Sequence, residues 1–145
     1  ARWPGVIEPG RVTDHISGFQ DVLPTLAELV NVEPPDNIDG ISFLPTLLDQ
    51  PEKQFKHESL YWEFSEQGGK RALRQGDWKV VQLKVSSKKP KAPELYNLKN
   101  DLGEKINLAK QQPEKLKELV KLMDQAHTPS EKFPLFASEK NGTEK

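Results

Sequence analysis

The chain contains no cysteine. That single absence removes a disulfide framework, a thiolate nucleophile and a cysteine-ligated zinc ribbon. Histidine is scarce as well: His15, His57 and His127 lie far apart in sequence, so no local metal motif exists. Neither His15 nor His57 has a Cys, Asp or His at ligand spacing, and a surface or packing role follows for both. No apolar run approaches the ~18 residues of a membrane span. Neither sign of charge is in excess, with 21 Lys+Arg against 22 Asp+Glu over 145 residues and a net charge of −1. A dedicated nucleic-acid binder would carry a basic surplus on one face, so neither nucleic acid nor a membrane is an expected partner. Apolar residues are also few: 34% hydrophobic, roughly 40% once the 9 glycines are added, against a usual share of about 45–50%. The small net charge and 11 aromatics still argue against a disordered acidic tail. What is present is a proline-rich chain with a modest core.

The first residues, Ala1-Arg2-Trp3-Pro4-Gly5, lack a start methionine and resemble the middle of structured sequence. The expectation is a fragment of a larger chain, with part of its core supplied by the absent portion. The apolar face of the first helix and the region of Trp3 should then be under-buried. Glu8-Pro9-Gly10 reads as a turn, with Pro second and Gly third. Phe19, Val22, Leu23, Leu26, Leu29 and Val30 recur at three- and four-residue steps and predict a helix, with Asp21 as N-cap and Pro24 in the first turn. It should stop before Glu33-Pro34-Pro35. Ser42 to Leu48 reads as a short apolar turn and residues 52–58 as a polar linker.

From 59 to 98 the pattern changes to strands. Leu60, Trp62 and Phe64 alternate with Tyr61, Glu63 and Ser65, predicting one buried face. Gly68-Gly69 and Gln75-Gly76-Asp77 break the chain around short strands at Arg71–Arg74 and Trp78–Val85, and Glu94–Leu98 is a fourth. Trp62 and Trp78 read as core on neighbouring strands. Pro113 opens a helix whose stripe is Leu116, Leu119, Val120, Met123 and Ala126, with Glu114–Lys117 and Glu118–Lys121 as outer pairs. Antiparallel strands followed by an amphipathic helix imply an α+β fold with the helix across one sheet face. The predicted organisation is 1–57 as one piece, 58–128 as a sheet-plus-helix unit, and 129–145 as a polar tail frayed from about 137, holding a glycosylation triplet at Asn141-Gly142-Thr143.

Few residues invite chemistry. Asp36, Asp39 and the group Asn97, Asn100, Asp101 and Glu104 lack the loop spacing of a calcium motif, so turn formation is the better reading. Glu63 and Glu66, three apart on a strand, point to opposite faces and make a poor acid/base pair. The lysines between 84 and 91 read as a solvated loop. The tract Glu63 to Gly69 differs: it is polar, broken by glycine and set at the end of a rigid strand, where binding residues tend to sit.

The order of motifs resembles a known family. Arg2-Trp3-Pro4-Gly5, Pro9-Gly10, Asp21-Val22-Leu23-Pro24-Thr25-Leu26 and Asp39-Gly40-Ile41-Ser42-Phe43-Leu44-Pro45 are similar to the run that closes the large α/β domain of type I sulfatases. Leu60-Tyr61-Trp62-Glu63, Arg74-Gln75-Gly76-Asp77-Trp78-Lys79, Glu94-Leu95-Tyr96-Asn97-Leu98, Asn100-Asp101-Leu102-Gly103-Glu104 and Asn107-Leu108-Ala109 resemble the small C-terminal subdomain of the same family. The resemblance covers roughly residues 2 to 127. It implies an alkaline-phosphatase-like domain ending in this chain, followed by a four-stranded antiparallel sheet with a C-terminal helix. It further implies hydrolysis of sulfate esters by a formylglycine nucleophile beside Ca2+. The nucleophile motif C/S-x-P-x-R does not occur here, so no catalytic residue transfers and the isolated piece should be inactive.

Glu63-Phe64-Ser65-Glu66-Gln67-Gly68-Gly69 resembles the W-E-F-H-E-x-G-G tract of bacterial carbohydrate sulfatases, with Ser65 where relatives carry His. On that basis Glu63, Ser65, Glu66 and Gln67 are candidates to bind sugar hydroxyls, and Arg74 a uronate or second sulfate. Packing of the small domain onto the large one is the competing role. The expected partners are a sulfated carbohydrate or aryl sulfate and the absent N-terminal catalytic domain, and the expected location is periplasmic or secreted. A phosphonate or phosphate-ester hydrolase of the same superfamily, and a stand-alone binding module, remain the alternatives.

Overall fold

The computed structural model describes residues 1–142 and divides between Glu58 and Ser59 into two compact units. The first holds two short helices, α1 (Val22–Leu29) and α2 (Leu44–Leu47), joined and preceded by extended loops. α1 begins where expected, behind Asp21, with Pro24 in its first turn. Its apolar face is under-buried, as expected. The residues that sink are polar or small: Asp21 is fully buried, as are Pro24 and Thr25, whereas Phe19 is 91% exposed and Leu23, Leu26, Leu29 and Val30 also face outward.

Asp21 explains why. Its carboxylate does not cap α1. Instead it accepts the amide N–H of Gly18 at 2.7 Å, the amide N–H of Ile41 at 2.8 Å and the ring of His57 (Nε2) at 2.8 Å. Burial opposes the charge, but these donors outweigh it and hold the Asp21 carboxyl below its usual range. Thr25 Oγ1 extends the clasp, donating to the Asp21 carbonyl at 2.6 Å and accepting the Phe43 N–H at 2.9 Å. The 40–43 loop thus lies flat on the helix, so close that a Cβ on Gly40 would stand 2.2 Å from the Gln20 carbonyl oxygen. The segment expected to be a free linker is stitched in as well. Gln54 accepts from the Thr46 N–H at 3.0 Å and donates to the Ser42 carbonyl at 2.8 Å, and the His57 ring is almost wholly enclosed.

The second unit is an antiparallel meander in the order β1-β2-β3-β4: β1 (Leu60–Phe64), β2 (Lys70–Gln75), β3 (Trp78–Leu83) and β4 (Glu94–Asn97). β2 and β3 meet in a two-residue turn at Gly76-Asp77, where Gly76 takes φ +56°. Glycine reaches that left-handed region without steric cost. α3 (Pro113–Ala126) crosses β2 and β3, and Leu73, Val80 and Leu95 from the sheet meet Leu119 and Met123 from the helix, all wholly buried.

Register then assigns the faces. Tyr61 stands beside Leu73, Val80 and Leu95 on the covered side, while the Trp62–Ala72–Val81 and Phe64–Lys70–Leu83 rows lie on the other. The expectation that Leu60, Trp62 and Phe64 form the buried face is therefore corrected: Leu60 is buried, but Trp62 is 37% and Phe64 64% exposed. Trp62 and Trp78 are on opposite faces and on strands separated by β2. On α3 the observed outer ion pair is Lys115–Glu118 at 2.9 Å, not the expected Glu114–Lys117 or Glu118–Lys121. Asp101 and Asn97 do act as turn formers, Asp101 accepting the N–H groups of Lys105 and Ile106 and Asn97 that of Lys99.

Among the described residues the segment after α3 folds back onto the unit, in place of the fraying expected from about 137. Leu135 is 1% exposed and Glu139, in a short 3-10 turn (Ala137–Gly142), is bonded back to the unit. The Asn141 side chain and Thr143, and with them the glycosylation triplet, lie outside the described residues.

Leu73→Ala removes a wholly buried side chain at the helix–sheet contact and should cost about 2–5 kcal/mol in denaturant unfolding; a loss under ~1 kcal/mol would mean the contact is not tightly packed. Gly40→Ala should destabilise the first unit by several kcal/mol, since the clash is with backbone and cannot rotate away; an unchanged Tm would refute the close approach.

Candidate functional site

The polar tract at the end of β1 becomes a tight loop. Ser65 ends the strand, Glu66–Gly68 forms a 3-10 turn, and Gly69 returns the chain to β2. Three consecutive residues have left-handed backbone: Gln67 (φ 58°), Gly68 (φ 89°) and Gly69 (φ 77°). Positive φ favours glycine at both Gly68 and Gly69, and at Gly69 the loop is also pressed onto the end of β3. The Val85 N–H donates to the Gly69 carbonyl at 3.2 Å, the Ser86 N–H donates to the Gly68 carbonyl at 3.0 Å, and a Cβ on Gly69 would meet Val85 at 2.7 Å. Gln67 has no such licence. A non-glycine residue in this region carries strain of about 1 kcal/mol, and it holds an exposed amide, which accepts from Lys70 Nζ at 2.5 Å.

The five sequence candidates do not converge. Glu66 and Gln67 are exposed at the loop tip and Ser65 is partly buried beside them. Glu63 is turned away, onto the covered face, where it accepts the Tyr61 hydroxyl at 2.5 Å and the His127 ring (Nδ1) at 2.7 Å. Arg74 pairs with Leu60 at the far end of the hairpin, four residue pairs from Phe64–Lys70, or about 13 Å along the strand. It lies on the open face, its Nε donating to the Gly76 carbonyl at 3.0 Å. Ser65, Glu66 and Gln67 thus form one group, Arg74 a second, and Glu63 belongs to a third.

Each of the two outlying groups has its own setting. Arg74 borders a shallow groove of about 500 Å³ on the open sheet face, with Trp62, Phe64, Lys70, Lys79 and Leu102 among its walls. Lys79 is tied there to Glu104 at 2.5 Å. On the covered face, Arg71 is buried and donates to Asp124 of α3 at 2.7 Å and to Gln82 of β3 at 2.9 Å. Its guanidinium also lies 5.1 Å from the Phe136 ring centre. Burial and the neighbouring Glu63 carboxylate push the Tyr61 hydroxyl far above its usual range, and burial with Glu94 pushes Tyr96 up to about 12, so neither phenol ionises near neutrality. Sequence reading did not single out Arg71, Asp124 or Glu139. No spacing signal marks them, because their partners stand far away in the chain.

Solved structures that share this fold include sulfatases. A 2-O GAG sulfatase superposes with a TM-score of 0.60 at 33% identity, covering 72% of this chain and 23% of that one. Among curated relatives, Arylsulfatase K of Xenopus laevis is 32% identical over 124 residues, 79% of this chain and 23% of its own. The Ulvan-active sulfatase of Formosa agariphila is 47% identical over 47 residues, 32% of this chain and 9% of its own. Residues 1–131 match the family described as N-sulphoglucosamine sulphohydrolase, C-terminal, and the chain belongs to that family. It spans at most about a quarter of the length of these relatives.

Gln67→Gly relieves the one non-glycine left-handed residue in the loop and should raise stability by up to about 1 kcal/mol in thermal unfolding; a lowered Tm would mean that the Lys70 contact outweighs the strain.

Proposed function

We propose that the protein containing this chain hydrolyses sulfate esters of a carbohydrate, and that this region contributes the Ser65–Gly69 loop to substrate recognition. The match of residues 1–131 to the sulfatase C-terminal family carries the reading. The formylglycine and Ca2+ that the family implies find no home here. The chain has neither Cys nor a Ser followed by x-Pro-x-Arg, and among the described residues no group of three His, Cys, Asp or Glu side chains could hold a metal ion. In this reading the hydrolytic step belongs to residues outside the chain.

The loop is suited to sugar hydroxyls for physical reasons. Its backbone is pinned to the end of β3, so Glu66 and Gln67 are presented without much freedom to lose on binding. Both side chains are exposed and offer acceptors and an amide donor. Arg74 and the groove beside it serve a different purpose: an apolar face bearing Trp62, Phe64 and Leu102 is suited to being covered by protein, and the catalytic domain is the proposed cover. The exposed leucines of α1 call for the same. The polysaccharide-directed activity further suggests a periplasmic or secreted protein.

The test is sulfate release by the full-length protein from a panel of sulfated carbohydrates. Paired Glu66→Ala and Gln67→Ala should lower kcat/KM about ten-fold or more, one to two hydrogen bonds' worth, with Tm within a degree or two of wild type. No sulfate release from the panel, with phosphate release from the corresponding phosphate esters, would overturn the activity. Unchanged kcat/KM in the double variant would remove the loop from the substrate site.

A further inference from the structure

His127 closes α3 as its C-terminal cap residue, and both of its ring nitrogens meet carboxylates. Nδ1 lies 2.7 Å from Glu63 Oε2 on β1, and Nε2 lies 2.6 Å from Glu139 Oε1 in the segment after the helix. A neutral imidazole has one N–H and one lone pair and cannot donate to both. Glu139 accepts the amides of Leu135 and Phe136 on its second oxygen at 2.8 and 3.2 Å, and these bonds together with His127 favour its ionised form. The Glu63 oxygen that faces His127 also accepts the Tyr61 hydroxyl. An imidazolium between two carboxylates satisfies all of these contacts, and it lies largely out of solvent, with 9% of the His127 side chain exposed.

We propose that His127 is a protonation-dependent fastener: as the imidazolium it ties the 130–139 strap to β1 through Glu63 and Glu139, and on losing its proton it lets the strap go. The strap is held at few other points. Leu135 is buried, and Phe136 stands edge-on to His127 with ring centres 4.9 Å apart and under the Arg71 guanidinium. The charged and titratable groups around the ring are Glu63 and Tyr61 from β1, Arg71 from β2, Asp124 one turn back in α3, and Glu139 in the strap. Arg71 is matched by Asp124 at 2.7 Å, which leaves Glu63 and Glu139 as the net local field.

The pH window follows from both ends of the tie. Burial works against the His127 charge, but the bonds to Glu63 and Glu139 prevail and raise its pKa above the ordinary 6.5. The tie is then at full strength below 6.5 and fades as pH rises through the raised value. Burial likewise opposes the Glu139 charge, but His127 and the two amides hold its pKa below the ordinary 4.5, so the tie also fades as pH falls through that lowered value. Between them, in mildly acidic solution, the strap is fastened and Glu63 is occupied. Beyond the upper limit Glu63, two residues before the Ser65–Gly69 loop, loses its charged partner.

Hydrogen exchange of the intact protein, read peptide by peptide and corrected for intrinsic pH dependence, tests this. Protection of the Leu135 and Phe136 amides should fall ten-fold or more between pH 6 and pH 9, while peptides of β2 and β3 keep theirs. His127→Gln should give low strap protection at both pH values. Exchange of the His127 ring C2 hydrogen, followed by mass spectrometry on unaltered protein, should report a pKa above 6.5. A pKa at or below 6.5, or strap protection equal at the two pH values, would overturn the proposal whether or not the variant folds.

Discussion

The second unit depends on one contact, the seating of α3 on β2 and β3. Leu73, Val80 and Leu95 form a row across the meander, and Leu119 and Met123 fill the space above it. A four-stranded sheet without such a cover has no dry interior and little independent stability. Once that row is buried, period-two alternation commits every other position. Tyr61, Glu63, Arg71 and Gln82 come to the helix side, and Trp62, Phe64, Ala72, Val81 and Leu83 go to the other.

Bringing Glu63 and Arg71 to a covered face has a consequence. A buried charge without a partner is costly, so each must be answered locally. Arg71 is answered by Asp124 and Gln82, Glu63 by Tyr61 and His127. The second ring nitrogen of His127 then meets another carboxylate, Glu139, from the segment beyond the helix. The strap is folded down by this sequence of electrostatic needs as much as by Leu135. The first unit uses the same device on a smaller scale. Asp21 gathers Gly18, Ile41 and His57 around one carboxylate, and the apolar side of α1 is left facing outward.

Much of the fold was legible along the chain because its signals are local. Pro24 sits in the first turn of α1, Gly76 marks the β2–β3 turn, and Pro113 opens α3 ahead of a leucine stripe. The polar break at Ser65–Gly69 was equally visible, since Gly68 and Gly69 supply left-handed backbone that few other residues take. The grouping of candidates was not visible. Glu63, Ser65, Glu66, Gln67 and Arg74 are near neighbours in sequence, yet alternation turns Glu63 away from the open face and the hairpin places Arg74 at its far end.

The residues by themselves determined the element order, the turns, the α+β class and the family kinship, because each rests on neighbours within a few positions or on motif order. Tertiary structure alone decided which face of the sheet is covered. Trp62 and Phe64 are more apolar than Tyr61 and Glu63, and alternation defines two faces without saying which one a helix will occupy. That choice rests on α3, and its polar seals join residues 53 positions apart at Arg71–Asp124 and 64 apart at Glu63–His127. Contacts across such separations leave no periodic trace in the chain that makes them.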